Sequence, residues 1–256
     1  MGILDGKVAV VAGANELAAG IAAKFSQEGA RVIVIDRDAD AVAQTAAGKG
    51  RQATVDTADA TAVRAAIDAI AAAEGGLDIL VNAAQPDTGW GPFSAKDPAD
   101  FTRVFATVVQ PAVNLMQAAY PHLRARGAGR VINLGSMYGS ASHRDITDAV
   151  AADGALIALT RGVGLEWGRD QINVNFLQTA APDITAFAEF RAQKGPGVDD
   201  LVELLPLARL ADPIEDVGGA ALFLASDEAC FIVGHKVMAD GGQHIAAPVF
   251  EPGGQF

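Results

Sequence analysis

Lys7-Val8-Ala9-Val10-Val11-Ala12-Gly13-Ala14-Asn15-Glu16-Leu17 is an apolar run of strand length that stops at a glycine and passes into a stretch of helical period. The same alternation repeats down the chain. Arg31–Asp36, Gln52–Asp56, Leu77–Asn82, Arg130–Leu134, Gln171–Phe176 and Lys236–Ala239 read as further strands. Leu17–Glu28, Ala60–Glu74, Asp100–Arg126, Asp148–Gly168 and Pro213–Ala225 read as helices, with Asp59 and Asp212 placed to cap two of them. Strands that alternate with long Ala-rich helices predict βαβ units, hence a parallel sheet of seven strands buried on both faces.

The 256 residues suit one α/β domain, expected over residues 1–245, followed by an extended arm over 246–256 that carries Pro248, Pro252, Gly253 and Gly254. Half the residues are hydrophobic and the formal net charge is -12, so no basic surface is available to neutralise phosphates and nucleic-acid binding is not expected. The single cysteine, Cys230, cannot build an internal disulfide, and no leader or membrane-spanning run is evident, so a cytoplasmic, membrane-free location is expected. His122, His143, His235 and His244 lack metal-ligand spacing, and no metal is assigned. Residues 179–210 are less regular, broken by Gly195, Pro196, Gly197 and Pro206, and read as a lid.

Five landmarks carry a family resemblance: Val10-Val11-Ala12-Gly13, Asp78-Ile79-Leu80-Val81-Asn82-Ala83-Ala84, Gly129-Arg130-Val131-Ile132-Asn133-Leu134-Gly135-Ser136, Ile172-Asn173-Val174-Asn175, and the ending Phe223-Leu224-Ala225-Ser226-Asp227 with Gly234 and Asp240-Gly241-Gly242. In this order the chain resembles the classical short-chain dehydrogenase/reductase family along nearly its whole length. The resemblance implies a Rossmann-type, doubly wound α/β fold in three layers and a dinucleotide-dependent oxidoreductase ancestry.

Against the family's Thr-Gly-x-x-x-Gly-x-Gly phosphate loop, the chain offers Ala12-Gly13-Ala14-Asn15-Glu16-Leu17-Ala18-Ala19. An ungapped match keeps Gly13 and places Leu17 where backbone should approach a pyrophosphate, with Glu16 adding a negative charge. The alternative is that Gly13 only closes a turn and Leu17 packs into the core. Asp36, at the end of the second strand, matches the acid that selects NAD over NADP by accepting from the adenosine ribose. Asp56 and Asn82 match positions near the adenine, although Asn82-Ala83-Ala84-Gln85 lacks the family's second Asn and its Gly, and Thr179-Ala180 stands where Pro-Gly is usual. Gly13, Asp36, Asp56 and Asn82 are thus the cofactor residues the resemblance implies, in weakened form.

The family's chemistry uses Ser, Tyr, Lys and Asn. Ser136 matches the Ser; the Tyr, Lys and Asn positions fall on Ala149, Asp153 and Val108. Asp153 opposes the charge of the lysine it replaces, so it cannot lower the pKa of a neighbouring phenol. Tyr138 and His143, with Arg144, Asp145 and Asp148 nearby, could rebuild an acid/base site beside Ser136. Meanwhile Ala151, Gly154, Ala155, Ala158 and Gly162 recur at helical spacing and form a small-residue face suited to close helix packing.

These features lead to the expectation of a non-catalytic subunit that binds no cofactor itself and assembles, as a heterotetramer, with a catalytically intact NAD-dependent paralogue. A hydroxyacyl-CoA dehydrogenase of anaerobic aromatic, benzylsuccinate-type degradation is one such assembly. Two alternatives stand beside it: an oxidoreductase with a rebuilt Ser136/Tyr138 site that binds NAD here and acts on a small alcohol or ketone, and a homomeric ligand-binding protein that uses the old cleft.

Overall fold

The computed structural model describes residues 2–46, 51–86, 88–136, 145–179 and 205–245. Seven parallel strands form one sheet in the order β3-β2-β1-β4-β5-β6-β7: Val8–Ala12 (β1), Arg31–Asp36 (β2), Arg51–Thr54 (β3), Ile79–Asn82 (β4), Gly129–Ser136 (β5), Ile172–Thr179 (β6) and Lys236–Ala239 (β7). The expected α/β, doubly wound seven-stranded sheet is what the chain builds. The order reverses between β1 and β4, each paired to the other in register from Ala9 opposite Ile79 to Ala12 opposite Asn82.

Helices cover both faces because β1, β4 and β5 are mostly apolar and buried on both sides, leaving no face to give to water. One layer joins Glu16–Gln27 (α1), through Leu17, Ile21 and Phe25, to the turn at Pro213–Gly218 and to Gly219–Ala225 (α7). The opposite layer sets Ala60–Glu74 (α3) and Gln110–Arg126 (α5) on the sheet through Val63, Ile67, Leu115, Met116 and Leu123. Beside α5 lies Thr147–Trp167 (α6), the longest helix among the described residues.

Asp59 and Asp212 cap as expected: Asp59 accepts from the Thr61 and Ala62 amides, and Asp212 from those of Ile214 and Glu215. Three differences from the sequence reading have local causes. Ala39–Thr45 (α2) is not among the expected helices; Asp38 caps it by accepting from the Asp40 and Ala41 amides. The single helix expected from Asp100 begins at Pro98 (α4, Pro98–Val104), behind an Asp97/Asp100 capping box, and passes through a π-helical turn at Phe105–Val109 before α5. β5 and β6 run on to Ser136 and Thr179, because their ends pair with each other. The expected lid lies mostly outside the described residues, as does the arm at 246–256. No described helix is long and apolar enough to cross a membrane.

Candidate active site

A shallow cleft opens at the point where the strand order reverses, outside the carboxyl ends of the strands, which is where open α/β sheets hold ligands. Gly13 just after β1, Asp36 from β2, Asn82 from β4 with Ala84 just beyond it, and Val108 and Leu156 from the helices line it. Gly13 has φ of 120°, and a Cβ there would stand 2.9 Å from the Ala83 carbonyl carbon, so only glycine lets these two strand ends meet.

Both Asp36 oxygens hold the surrounding backbone: Oδ2 accepts from the Ala14 amide at 3.0 Å and Oδ1 from the Asp38 amide at 3.2 Å. Each oxygen has a second lone pair, so the carboxylate can still accept from a diol. Asn82 is fixed from behind. Its Nδ2 donates to Asn133 Oδ1 at 2.7 Å, and Asn133 Nδ2 donates to Thr160 Oγ1 at 2.9 Å. This buried relay leaves Asn82 Oδ1 as an acceptor without a partner among the described residues, on the cleft wall. An unpaired buried acceptor asks for a donor, and a ligand rich in hydroxyl or amino groups supplies one. Acceptors on β2 and β4 at the switch point therefore fit the adenosine portion of a dinucleotide.

Leu17 does not face the cleft. It is 4% exposed and packs in the core with Ile21 and Phe25, as the reading in which Leu17 packs into the core expects, and not against a phosphate. The helix phase decides this, since Leu17, Ile21 and Phe25 repeat at four-residue spacing. Asn15 caps α1 by accepting from the Ala18 amide at 3.0 Å and ties the loop to β4 by donating to the Ala83 carbonyl at 2.8 Å. Glu16 remains the acidic residue of the first turn. Asp56 is exposed and spends Oδ1 on the Ala58 amide; Thr57 takes its place on the cleft wall, held by Asn114 of α5, whose Nδ2 donates to the Thr57 and Ala58 carbonyls. Nothing in the sequence alone singled out Asn114, Asn133 or Thr160, because their roles arise from pairs 27 to 57 residues apart.

At the far end of β5, Ser136 is partly exposed, and its amide and hydroxyl both donate to Asp153 Oδ2, at 3.1 and 3.0 Å. Ala149 and Val108 are buried apolar residues, 3% exposed each. Tyr138 and His143 lie outside the described residues, so the rebuilt acid/base site keeps only its Ser136 end in view.

Beside Ala149, Asp148 forms a buried ion pair with Lys96 at 2.8 Å, with side-chain exposures of 0% and 4%. Thr88 Oγ1 lies 2.8 Å from both Asp148 oxygens, and Lys96 Nζ also donates to the Gly89 carbonyl. Burial pushes the Asp148 carboxyl up, but hydrogen bonds from Lys96, Thr88 and the Ala149 amide outweigh it and hold the group below the usual aspartate range. This clamp fastens the segment after β4 to the start of α6.

Ala151, Gly154, Ala158 and Gly162 are exposed on α6, so the small-residue face is turned away from the chain's own sheet. Asn173 and Asn175 have a structural use: their Nδ2 groups both donate to the Ile232 carbonyl, and that of Asn173 also to Cys230, fastening the loop before β7.

Residues 11–244 match the family model described as enoyl-(acyl carrier protein) reductase. The chain is 32% identical over 250 residues to D-threitol dehydrogenase of Mycolicibacterium smegmatis, covering 94% of each chain. It is 32% identical over 243 residues to meso-2,3-butanediol dehydrogenase of Serratia marcescens, covering 93% of this chain and 94% of that protein. A solved structure from Burkholderia xenovorans, assigned to the short-chain dehydrogenases/reductases, superposes with a TM-score of 0.86 at 27% identity, covering 96% of this chain and 99% of its own. These full-length relatives are named as dehydrogenases in their own right, and on that finding the expectation of a non-catalytic subunit in a hydroxyacyl-CoA dehydrogenase assembly is corrected.

Proposed function

The chain belongs to the short-chain dehydrogenase/reductase family, and from that premise we propose that it is itself an NAD-dependent oxidoreductase acting on a small alcohol or ketone. The observation that carries this reading is the acceptor-lined cleft at the switch point, with Asp36 and Asn82 on its walls.

In this reading Asp36 accepts from the adenosine ribose and Asn82 Oδ1 from a second donor of the same half of the cofactor, while Gly13 lets the backbone come close. The dinucleotide, when bound, supplies hydride transfer. Asp36 would repel the additional phosphate of NADP, so NAD is favoured. Glu16 works against the pyrophosphate, because a carboxylate at a helix N-terminus opposes the anion that the helix dipole attracts. Ser136 holds the reacting oxygen. Tyr138, two residues beyond it, is the acid/base, since Ala149 has no proton to give and Asp153 takes the lysine position. The relatives named for D-threitol and meso-2,3-butanediol support small polyols and their ketones as the first substrates to try.

The test is equilibrium binding. Purified chain titrated with NADH should show saturable enhancement of nicotinamide fluorescence at micromolar concentration, with NADPH at least tenfold weaker. No binding of either nucleotide would refute the reading.

A further inference from the structure

Asn82 presents an oxygen to the cleft, and the cause lies two side chains deeper in the protein. The two ends of an Asn amide differ in polarity and little in shape, so neighbours decide which way it faces. At the inner end of the relay, Thr160 is 1% exposed and its hydroxyl proton goes to the Leu156 carbonyl at 2.8 Å, one turn back in α6. Toward Asn133 it therefore offers lone pairs only. Met116 Sδ, 3.8 Å from Asn133 Nδ2, likewise accepts and cannot donate. Both neighbours call for nitrogen on that side, so Asn133 Oδ1 turns to Asn82 and receives its Nδ2 at 2.7 Å. Asn82 Oδ1 is left on the cleft wall, with no partner among the described residues.

Resting on the oxidoreductase reading above, we propose that Thr160 is a positioning residue that sets, through Asn133, the polarity of the cleft at Asn82. This point of the wall then takes a hydroxyl or amino group of the nucleotide and rejects a carbonyl or phosphate oxygen. A donor satisfies the buried acceptor and leaves the relay intact. An oxygen without a proton does not. Turning the Asn82 amide to meet it would set Asn82 Oδ1 against Asn133 Oδ1, and turning both amides would set Asn133 Oδ1 against the Thr160 lone pairs and the Met116 sulfur. Each arrangement leaves a buried acceptor facing another acceptor, which corresponds to about tenfold in affinity. Thr160 exerts this control without touching the ligand.

The experiment follows displacement of NADH by AMP and by three analogues that each change one donor. IMP carries a carbonyl in place of the amino group, and 2′-deoxy-AMP and 3′-deoxy-AMP each lack one hydroxyl, so the analogue that binds worse tells an amino from a ribose contact. At least one change should weaken binding about tenfold in wild type and do so again in Asp36→Ala, which removes the losses that belong to Asp36. Thr160→Val keeps the side-chain shape but removes the acceptor, and should shrink that factor to about 2. Thr160→Ser, which brings the hydroxyl back, should restore it. Equal weakening of all four nucleotides in Thr160→Val, as a purely structural role requires, would overturn the proposal, as would a series in which no loss survives Asp36→Ala. If Thr160→Val fails to fold, side-chain proton exchange in wild type decides. The Asn82 Nδ2 protons, turned to Asn133, should exchange slowly before NADH is added, whereas rapid exchange that slows only with NADH would put Nδ2 in the cleft and sink the idea. NADH fluorescence on the same samples separates the two levels: no NADH binding refutes the oxidoreductase reading, whereas intact NADH binding with a flat analogue series refutes this inference alone.

Discussion

Asp36 and Glu16 are carboxylates at two neighbouring loops with opposite consequences for one ligand. Asp36 faces the cleft and accepts from the backbone around it, whereas Glu16 sits in the first turn of α1, where its charge adds to the barrier against an anion. Asp36→Ala should therefore weaken NADH about tenfold and narrow the gap to NADPH, as fluorescence titration of both nucleotides would reveal. Glu16→Gln should tighten NADH by a factor of about 2 to 5, and the gain should shrink between low and high salt. An unchanged affinity across salt would remove the electrostatic argument. Gly13→Ala should destabilise the chain by about 1–3 kcal/mol in urea unfolding, through its positive φ and the clash with Ala83. At this scale the sequence was legible where one residue type permits one conformation, as at Gly13 or the caps Asp59 and Asp212. At Leu17 an ungapped motif match competed with helix phase, and the core-packing reading is the one the fold realises. Asp153 was readable as a charge reversal, but its grip on Ser136 depends on α6 meeting the end of β5.

The Thr88–Lys96–Asp148 clamp belongs to the level of elements, since it joins the segment after β4 to the N-terminus of α6 across 52 residues of chain. Asp148 reads in the sequence only as one of the titratable residues near Ser136, and Lys96 carries no motif and reads as an ordinary surface charge. Their burial exists only once the segment folds over the helix, which is why sequence reading passed over Lys96. Replacing it should be costly, because Asp148 would then be a buried charge without its counter-ion: Lys96→Met is expected to lose about 3–5 kcal/mol in urea unfolding. Much of that loss should return in the Lys96→Met/Asp148→Leu double variant. The pH dependence follows from the same contacts. Asp148 has a folded-state pKa below its unfolded value, so its contribution is present in full above the unfolded pKa of about 3.9 and is lost as pH falls through the folded one. Acid titration of wild type against Asp148→Asn should show this as a stability gap at neutral pH that closes below about pH 4. A gap that persisted into stronger acid would contradict the ionised pair.

For the molecule as a whole, strand–helix alternation and apolar strands were enough to predict seven parallel strands, because only a sheet covered on both faces buries runs such as β1 and β4 completely. The order β3-β2-β1-β4-β5-β6-β7 then places the ends of β1, β2 and β4 around one cleft. What the sequence could not convey was how much function a changed residue set supports. Counting Val108, Ala149 and Asp153 against the family pattern suggested loss, while the assembled chain keeps acceptors on Asp36 and Asn82 at the cleft wall and a Ser136 held by Asp153. The most direct test of the central claim is to incubate the purified chain alone with NAD and a panel of small polyols, including D-threitol and meso-2,3-butanediol, and follow reduced-nicotinamide absorbance. The account predicts a sustained rise with at least one of them that Ser136→Ala abolishes. Absence of any rise across the panel, with NADH binding demonstrated on the same preparation, would contradict it.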